Sequence, residues 1–214
     1  MMTRKTAFPL PAIKGLYLLT PDSLDTADLL QRVRLALAGG IQILQYRNKI
    51  ADAQLRLTQA HALRELTREA KVIFIINDDA QLAAEVDADG VHLGATDGEI
   101  AQARTLLGKD KLIGVSCYNS LQLARGAEKA GADYVAFGAF FTSSVKPDAA
   151  VASLSLLQDA RAELRLPIVA IGGINANNGG VLVQAGVDAL AVISSVFEAA
   201  DIQQAAQNFT KLFS

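Results

Sequence analysis

The chain has 214 residues, a formal net charge of −2, a single cysteine and no tryptophan. That length suits one domain with a substantial core. Its charges are scattered without a basic block, which argues against a nucleic-acid partner or an anionic membrane surface. Cys117 has no internal partner for a disulfide, and Met1–Lys14 lacks the apolar run of a secretory leader. The expectation is a cytoplasmic protein in a reducing compartment. The most apolar windows, 134–141 and 167–174, are too short to span a bilayer.

In chain order, short β-branched apolar runs alternate with longer amphipathic ones. The first predicted strand covers 15–19, followed by a helix over 23–38. Strand 41–46 leads to helix 52–70, strand 72–76 to helix 80–86, and strand 90–93 to helix 98–107. The second half repeats this with strand 112–116 and helix 120–130, then strand 134–137 and helix 153–164. Strand 168–171 and helix 176–185 come next, and strand 189–193 precedes a last helix over 201–213. Ala38-Gly39-Gly40, Ala130-Gly131 and Ala185-Gly186 each punctuate a helix end before a strand, where glycine accepts the left-handed backbone that stops a helix. Strands with little alternation are buried on both faces, as in a parallel sheet covered by helices. Eight such units predict an α/β fold, a single-domain (β/α)8 barrel over 1–214, with residues 1–14 as a short N-terminal extension. An open doubly wound sheet is the alternative. Thr20-Pro21-Asp22 after the first strand lacks the glycine-rich turn usual there.

In such a barrel the chemistry sits at the C-terminal strand ends. After the second strand, Gln45, Arg47 and Lys49 are spaced by two and point one way while the chain stays extended. Cations there suit phosphate oxygens, though both also read as solvated loop residues. Asn77-Asp78-Asp79 ends a wholly apolar strand, where carboxylates are costly unless paired or metal-bound. Capping of the next helix explains Asp79 but not the triplet. Asp97, after the fourth strand, is a second carboxylate on the neighbouring unit. Two such carboxylates with substrate phosphates and water are a common way to hold Mg2+. Asp97 also reads as a helix cap. His92 reads as a satisfied interior residue, and Cys117 as structural. Ser116 ends the fifth strand as either a donor or a turn residue. Thr142-Ser143-Ser144-Val145-Lys146 combines hydroxyls with a cation. Gly172-Gly173 and Ile193-Ser194 sit where this fold often binds phosphate. Neither a Ser/His/acid triad nor a zinc pattern is readable.

Taken together, Gln45-Tyr46-Arg47-Asn48-Lys49, Asn77-Asp78-Asp79, His92-Leu93-Gly94 with Asp97, Gly114-Val115-Ser116, the Lys146 loop, Ile171-Gly172-Gly173-Ile174 and Ile193-Ser194 resemble the thiamine-phosphate synthase family. The similarity runs from Gly15 to the C-terminal helix. The resemblance implies a transferase of thiamine biosynthesis that joins a hydroxymethylpyrimidine diphosphate to a thiazole phosphate. Gln45, Tyr46, Arg47, Asn48, Lys49, Asn77, Ser116 and Lys146 would hold the pyrimidine diphosphate. Ser143, Ser144, Val145, Gly172, Gly173, Ile193 and Ser194 would hold the thiazole phosphate. Asp78 and Asp97 would carry Mg2+, with Arg47, Lys49, Lys146 and Ser116 as the catalytic set. The chain departs from the family pattern at Ala95, commonly Gln, at Thr142, commonly Pro, and at Val145, often a hydroxyl residue. Two alternatives are the related thiazole tautomerase and a barrel that only binds a phosphorylated ligand. The intact cations and carboxylates disfavour both. The expected partners are small molecules, without nucleic acid or membrane.

Overall fold

The structure is a computed structural model describing residues 11–94, 99–141 and 152–213. Its strands are β1 (Gly15–Leu19), β2 (Ile43–Tyr46), β3 (Ile73–Asn77), β4 (Gly90–Leu93), β5 (Leu112–Tyr118), β6 (Tyr134–Phe137), β7 (Ile168–Ile171) and β8 (Ala189–Val192). All neighbours pair in parallel, and β1 closes on β8. The predicted barrel is the observed one. Helices α1 (Thr26–Ala38), α2 (Ala53–Ala70), α3 (Ala80–Glu85), α4 (Ile100–Leu107), α5 (Leu121–Ala130), α6 (Leu154–Glu163) and α7 (Gly179–Gln184) follow the first seven strands in turn. α8 (Ser194–Phe197) and α9 (Ile202–Thr210) follow the eighth.

Side-chain alternation along each strand divides the core in two. Tyr17, Leu19, Ile43, Ile75, Leu112, Tyr134, Val169, Ala189 and Ala191 fill the barrel interior. The intervening positions, such as Leu16, Leu18, Leu44, Phe74 and Ile76, pack outward against the helices. This is period-two geometry on strands buried on both faces. Ile13 joins the interior cluster, so the N-terminal extension is part of the packed barrel by that residue.

Helix starts follow local chemistry. Asp25, Asp52, Asp79, Ser120, Ser153 and Asp201 each accept the amide three residues on, satisfying a donor that the first turn leaves open. Some boundaries differ from expectation for similar reasons. Helix α7 begins at Gly179 because Asn175 Oδ1 accepts the amides of Asn177 and Asn178, forming a side-chain turn first. The chain after β8 makes a separate turn of helix, α8, before Asp201 caps α9. Strand β5 runs on to Tyr118 through a register shift at Cys117, a bulge of the kind often found beside active sites.

At the base of the barrel one arrangement recurs on alternate strand pairs. Asp89, before β4, accepts the Phe74 amide of β3 at 2.8 Å. It also takes two bonds from Arg64 of α2 at 2.8 and 3.1 Å. Asp133, before β6, accepts the Ile113 amide of β5 at 2.7 Å and pairs with Arg104 of α4 at 2.6 Å. Asp188, before β8, accepts the Ile168 amide of β7 at 2.8 Å and pairs with Arg161 of α6. Before β2 an uncharged side chain does the job: Gln42 Oε1 accepts the Leu16 amide of β1 at 2.6 Å. Each latch ties two strands, and three of them also tie a helix.

Replacing Asp133 with alanine strips the Ile113 amide and Arg104 of their shared acceptor. The expected cost is about 2 kcal/mol, typical for hydrogen bonds to a charged group. It should appear as a lower urea midpoint at unchanged m-value.

Candidate functional site

The C-terminal ends of β2 and β3 open into a cavity of about 410 Å3 lined by Arg47, Lys49, Arg56, Asn77 and Asp78, among others. Its walls are set by backbone constraints. Buried Thr20, just past β1, clamps Arg47 through its hydroxyl, which accepts the Arg47 amide at 2.9 Å and donates to its carbonyl at 2.8 Å. Asp22 then accepts the Lys49 amide at 2.7 Å and the Arg47 guanidinium at 3.2 Å. The β1 loop therefore holds the Arg47 guanidinium and the Lys49 backbone, while the Lys49 side chain stays exposed. Lys49 Nζ lies 4.0 Å from Asp78 across the cavity.

The residues between them turn the other way. The Tyr46 hydroxyl donates to Gln59 Oε1 of α2 at 2.8 Å. Asn48 donates to Ser23 O and Gln59, and accepts the amides of Ile50 and Ala51. With these side-chain groups spent on the scaffold, any ligand contact from Tyr46 and Asn48 is left to the backbone.

Asp79 caps α3 through the Leu82 amide at 2.9 Å, as its position predicted. Asp78 does something else. Its backbone is left-handed, with φ at 66°, an uncommon state for a residue with a Cβ. Its amide donates to His92 O at 2.8 Å. Asn77 keeps the parity of the interior positions Ile73 and Ile75 at the strand end.

Arg56, in the first turns of α2, was not singled out from sequence. It lines the cavity, and its Nε is buried without a hydrogen-bond partner. Among the described residues no carboxylate pairs with it. Only its place one turn after the Asp52 cap could have signalled that it faces the strand ends. Arg47, Lys49 and Arg56 thus bring three cations to one cavity.

Gln45 and Ser116 lie on the interior side, Gln45 buried and Ser116 half-buried. Gln45 Nε2 donates to the Tyr17 hydroxyl at 2.7 Å. Ser116 Oγ lies 2.9 Å from His92 Nε2. His92 is a satisfied interior residue, as predicted: its Nδ1 meets the Tyr134 hydroxyl at 3.1 Å. Burial pushes the His92 pKa down to about 4, so it is neutral near pH 7. Burial also raises the Tyr17 and Tyr134 phenols, which stay protonated.

On the opposite rim, Gly172 and Gly173 both have positive φ. A Cβ on Gly172 would sit 2.4 Å from that of Ala139, so this turn needs glycine for both conformation and space. Ser195 Oγ donates to Ile174 O, joining the loops after β7 and β8. Ile193 packs on the barrel interior, and Ser194 opens α8, where first-turn amides lack helical partners. Asp97, Ser143, Ser144, Val145 and Lys146 lie outside the described residues, as do Ala95 and Thr142. Among the described residues no group of three metal-ligating side chains occurs. Among them, too, no helix is long and apolar enough to cross a membrane.

A family model described as thiamine monophosphate synthase matches residues 16–196. The thiamine-phosphate synthase of Methylobacillus flagellatus is 55% identical over 208 residues, covering 97% of this chain and 99% of its own. That of Methylococcus capsulatus is 46% identical over 212 residues, covering 99% and 94%. A solved thiamine phosphate pyrophosphorylase from Pyrococcus furiosus matches with a TM-score of 0.83 at 37% identity, covering 92% of this chain and 94% of its own.

Two measurements check the interior of the site. A histidine with a depressed folded pKa takes up its proton first in the unfolded chain, so its contribution to stability is lost as pH falls from about 6.5 toward about 4. His92→Gln should flatten that part of the stability–pH curve, by roughly 3 kcal/mol at most. Burial pushes the Cys117 thiol up to about 12. Iodoacetamide at pH 8 should therefore leave Cys117 unmodified in the native protein and alkylate it in denaturant.

Proposed function

From its membership of the thiamine monophosphate synthase family, we infer that the chain is the enzyme that condenses a pyrimidine and a thiazole moiety in thiamine biosynthesis, with each substrate held by its phosphate groups. The reaction is substitution at the pyrimidine methylene carbon. The carbon–oxygen bond to diphosphate breaks, the oxygen keeps the electron pair, and the thiazole nitrogen supplies the pair for the new carbon–nitrogen bond. The observation that carries this reading is the convergence of Arg47, Lys49 and Arg56 on one cavity beside Asp78.

In this reading Arg47, Lys49 and Arg56 bind the diphosphate and offset the charge it gathers as it leaves. Fixed cations do this without reorganisation during the step. Thr20 and Asp22 hold the first two in place. Asn77, Gln45 and Ser116 orient the pyrimidine, and Lys146 adds a further cation. Tyr46 and Asn48 shape the loop that carries Arg47 and Lys49. Gly172, Gly173, Ile193 and Ser194, with Ser143, Ser144 and Val145, hold the thiazole phosphate, and two fixed phosphate sites align nucleophile and carbon.

The donor chemistry also fits Mg2+. Asp78 is a hard oxygen ligand at a strand end, and this ion needs only one or two carboxylates when phosphates complete its shell. Asp78 and Asp97 would hold it, and bound there it would supply positive charge to the leaving diphosphate. A single cysteine, buried at Cys117, supports a cytoplasmic setting.

Pyrophosphate release should require both phosphorylated substrates and a divalent metal. Release from the pyrimidine diphosphate alone, or none with all three present, contradicts the assignment. Asp78→Ala and Lys146→Ala should each lower turnover about 100-fold or more at saturating substrate. Near wild-type rates would remove those residues from the site.

A further inference from the structure

A run of hydrogen bonds crosses the barrel interior from one side of the mouth to the other. It passes from Gln45 on β2 to Tyr17 on β1 at 2.7 Å, then to Tyr134 on β6 at 2.8 Å. From there it reaches His92 on β4 at 3.1 Å and Ser116 on β5 at 2.9 Å. Tyr17 and Tyr134 are 1% and 0% exposed, so their hydroxyls meet only these neighbours. The Tyr134 ring occupies space that β5 vacates. A Cβ on Gly114 would fall 2.0 Å from its Cζ.

Counting protons gives the run a direction. The Gln45 amide nitrogen can only donate. Tyr17 therefore accepts from Gln45, and its single proton has one remaining target, the Tyr134 oxygen. Reversing that bond would leave the Tyr17 proton buried and unpaired, which is unfavourable. Tyr134 then donates to Nδ1 of His92, which places the imidazole proton on Nε2. That proton goes to Ser116 Oγ, so the serine's own proton is free for the mouth. At the other end, one Nε2 proton is spent on Tyr17, which fixes the orientation of the amide and leaves its acceptor Oε1 to offer beside the second Nε2 proton.

We propose that Tyr17, Tyr134 and His92 are positioning residues that fix the hydrogen-bond polarity of the substrate pocket, making Ser116 a donor and Gln45 an acceptor. An aminopyrimidine presents the complementary pair, an amino group that donates beside a ring nitrogen that accepts. The ring analogue with a carbonyl in place of the amine presents the reverse pattern and meets an acceptor opposite an acceptor. The substrate assignment rests on the proposed function, whereas the wiring is a property of the free protein.

The chain has two histidines, and His61 is exposed, so 15N spectra of the full-length protein labelled at histidine resolve His92. The wild type should show His92 protonated on Nε2 alone. Tyr17→Phe should keep that tautomer, because Tyr134 still donates to Nδ1. Tyr134→Phe should lose it to a mixture, with its fold checked by circular dichroism. A general packing defect would not separate the two variants. A proton on Nδ1 in the wild type overturns the proposal, as does an unchanged His92 spectrum in Tyr134→Phe.

In calorimetry, Tyr134→Phe should weaken pyrimidine diphosphate binding about tenfold, equivalent to one well-made hydrogen bond. Binding of inorganic pyrophosphate should change less than twofold. Equal losses for both ligands would overturn the positioning role. If the wild type binds neither ligand, the functional reading fails, and the histidine spectra still decide the wiring.

Discussion

A closed parallel barrel must satisfy the backbone where each strand enters it, on the face away from the ligand. Here a carboxylate or amide one place before each even strand accepts the amide of the preceding odd strand. The same carboxylate draws in an arginine from the helix between strand pairs at Asp89, Asp133 and Asp188. Register, helix placement and strand order are thus fixed from the base. Because the side-chain period is two, a one-residue slip at a latch would exchange the interior set for the helix-facing set. Tyr17, Gln45, His92 and Ser116 all depend on that register to lie on the same side of their strands.

The two ends of the barrel use polar groups differently. At the base, charges are matched, each carboxylate meeting one arginine and one amide. At the mouth the matching is looser among the described residues. Arg47 shares Asp22, Lys49 stands 4.0 Å from Asp78, and no carboxylate among them pairs with Arg56. Leaving charge loosely compensated is unfavourable for folding, and phosphate oxygens bound there would relieve it. The left-handed backbone at Asp78 is a further local cost at this end of the barrel.

The barrel was legible because its signals are local. Alternating apolar and amphipathic runs, glycines at helix ends and acidic caps are all read within a few residues. The spacing of Gln45, Arg47 and Lys49 predicted a shared direction; Arg47 and Lys49 line the cavity together with Tyr46 and Asn48, while Gln45 turns to Tyr17 in the interior. What stayed hidden is non-local. Thr20 and Asp22 act on residues 25 to 27 positions away. The Tyr17–Tyr134 bond joins residues 117 apart. Arg56 looked like any polar residue on an amphipathic helix, because its environment is made by the β3 turn. Tyr46 and Asn48 sit within the Gln45–Lys49 segment, yet Gln59 of α2 claims them both. No spacing within the segment reveals that.

The first latch differs from the other three in being uncharged. The helix that would supply its arginine is the last in the chain, and Gln42 instead donates back to Gly40 O. Dissolved salt shortens the reach of the arginine–carboxylate pairs and barely touches an amide bond. As ionic strength rises, the staves numbered three to eight slacken against their neighbours, while β1 and β2 keep their grip. The β1–β2 pair would then be a late place for this barrel to come apart.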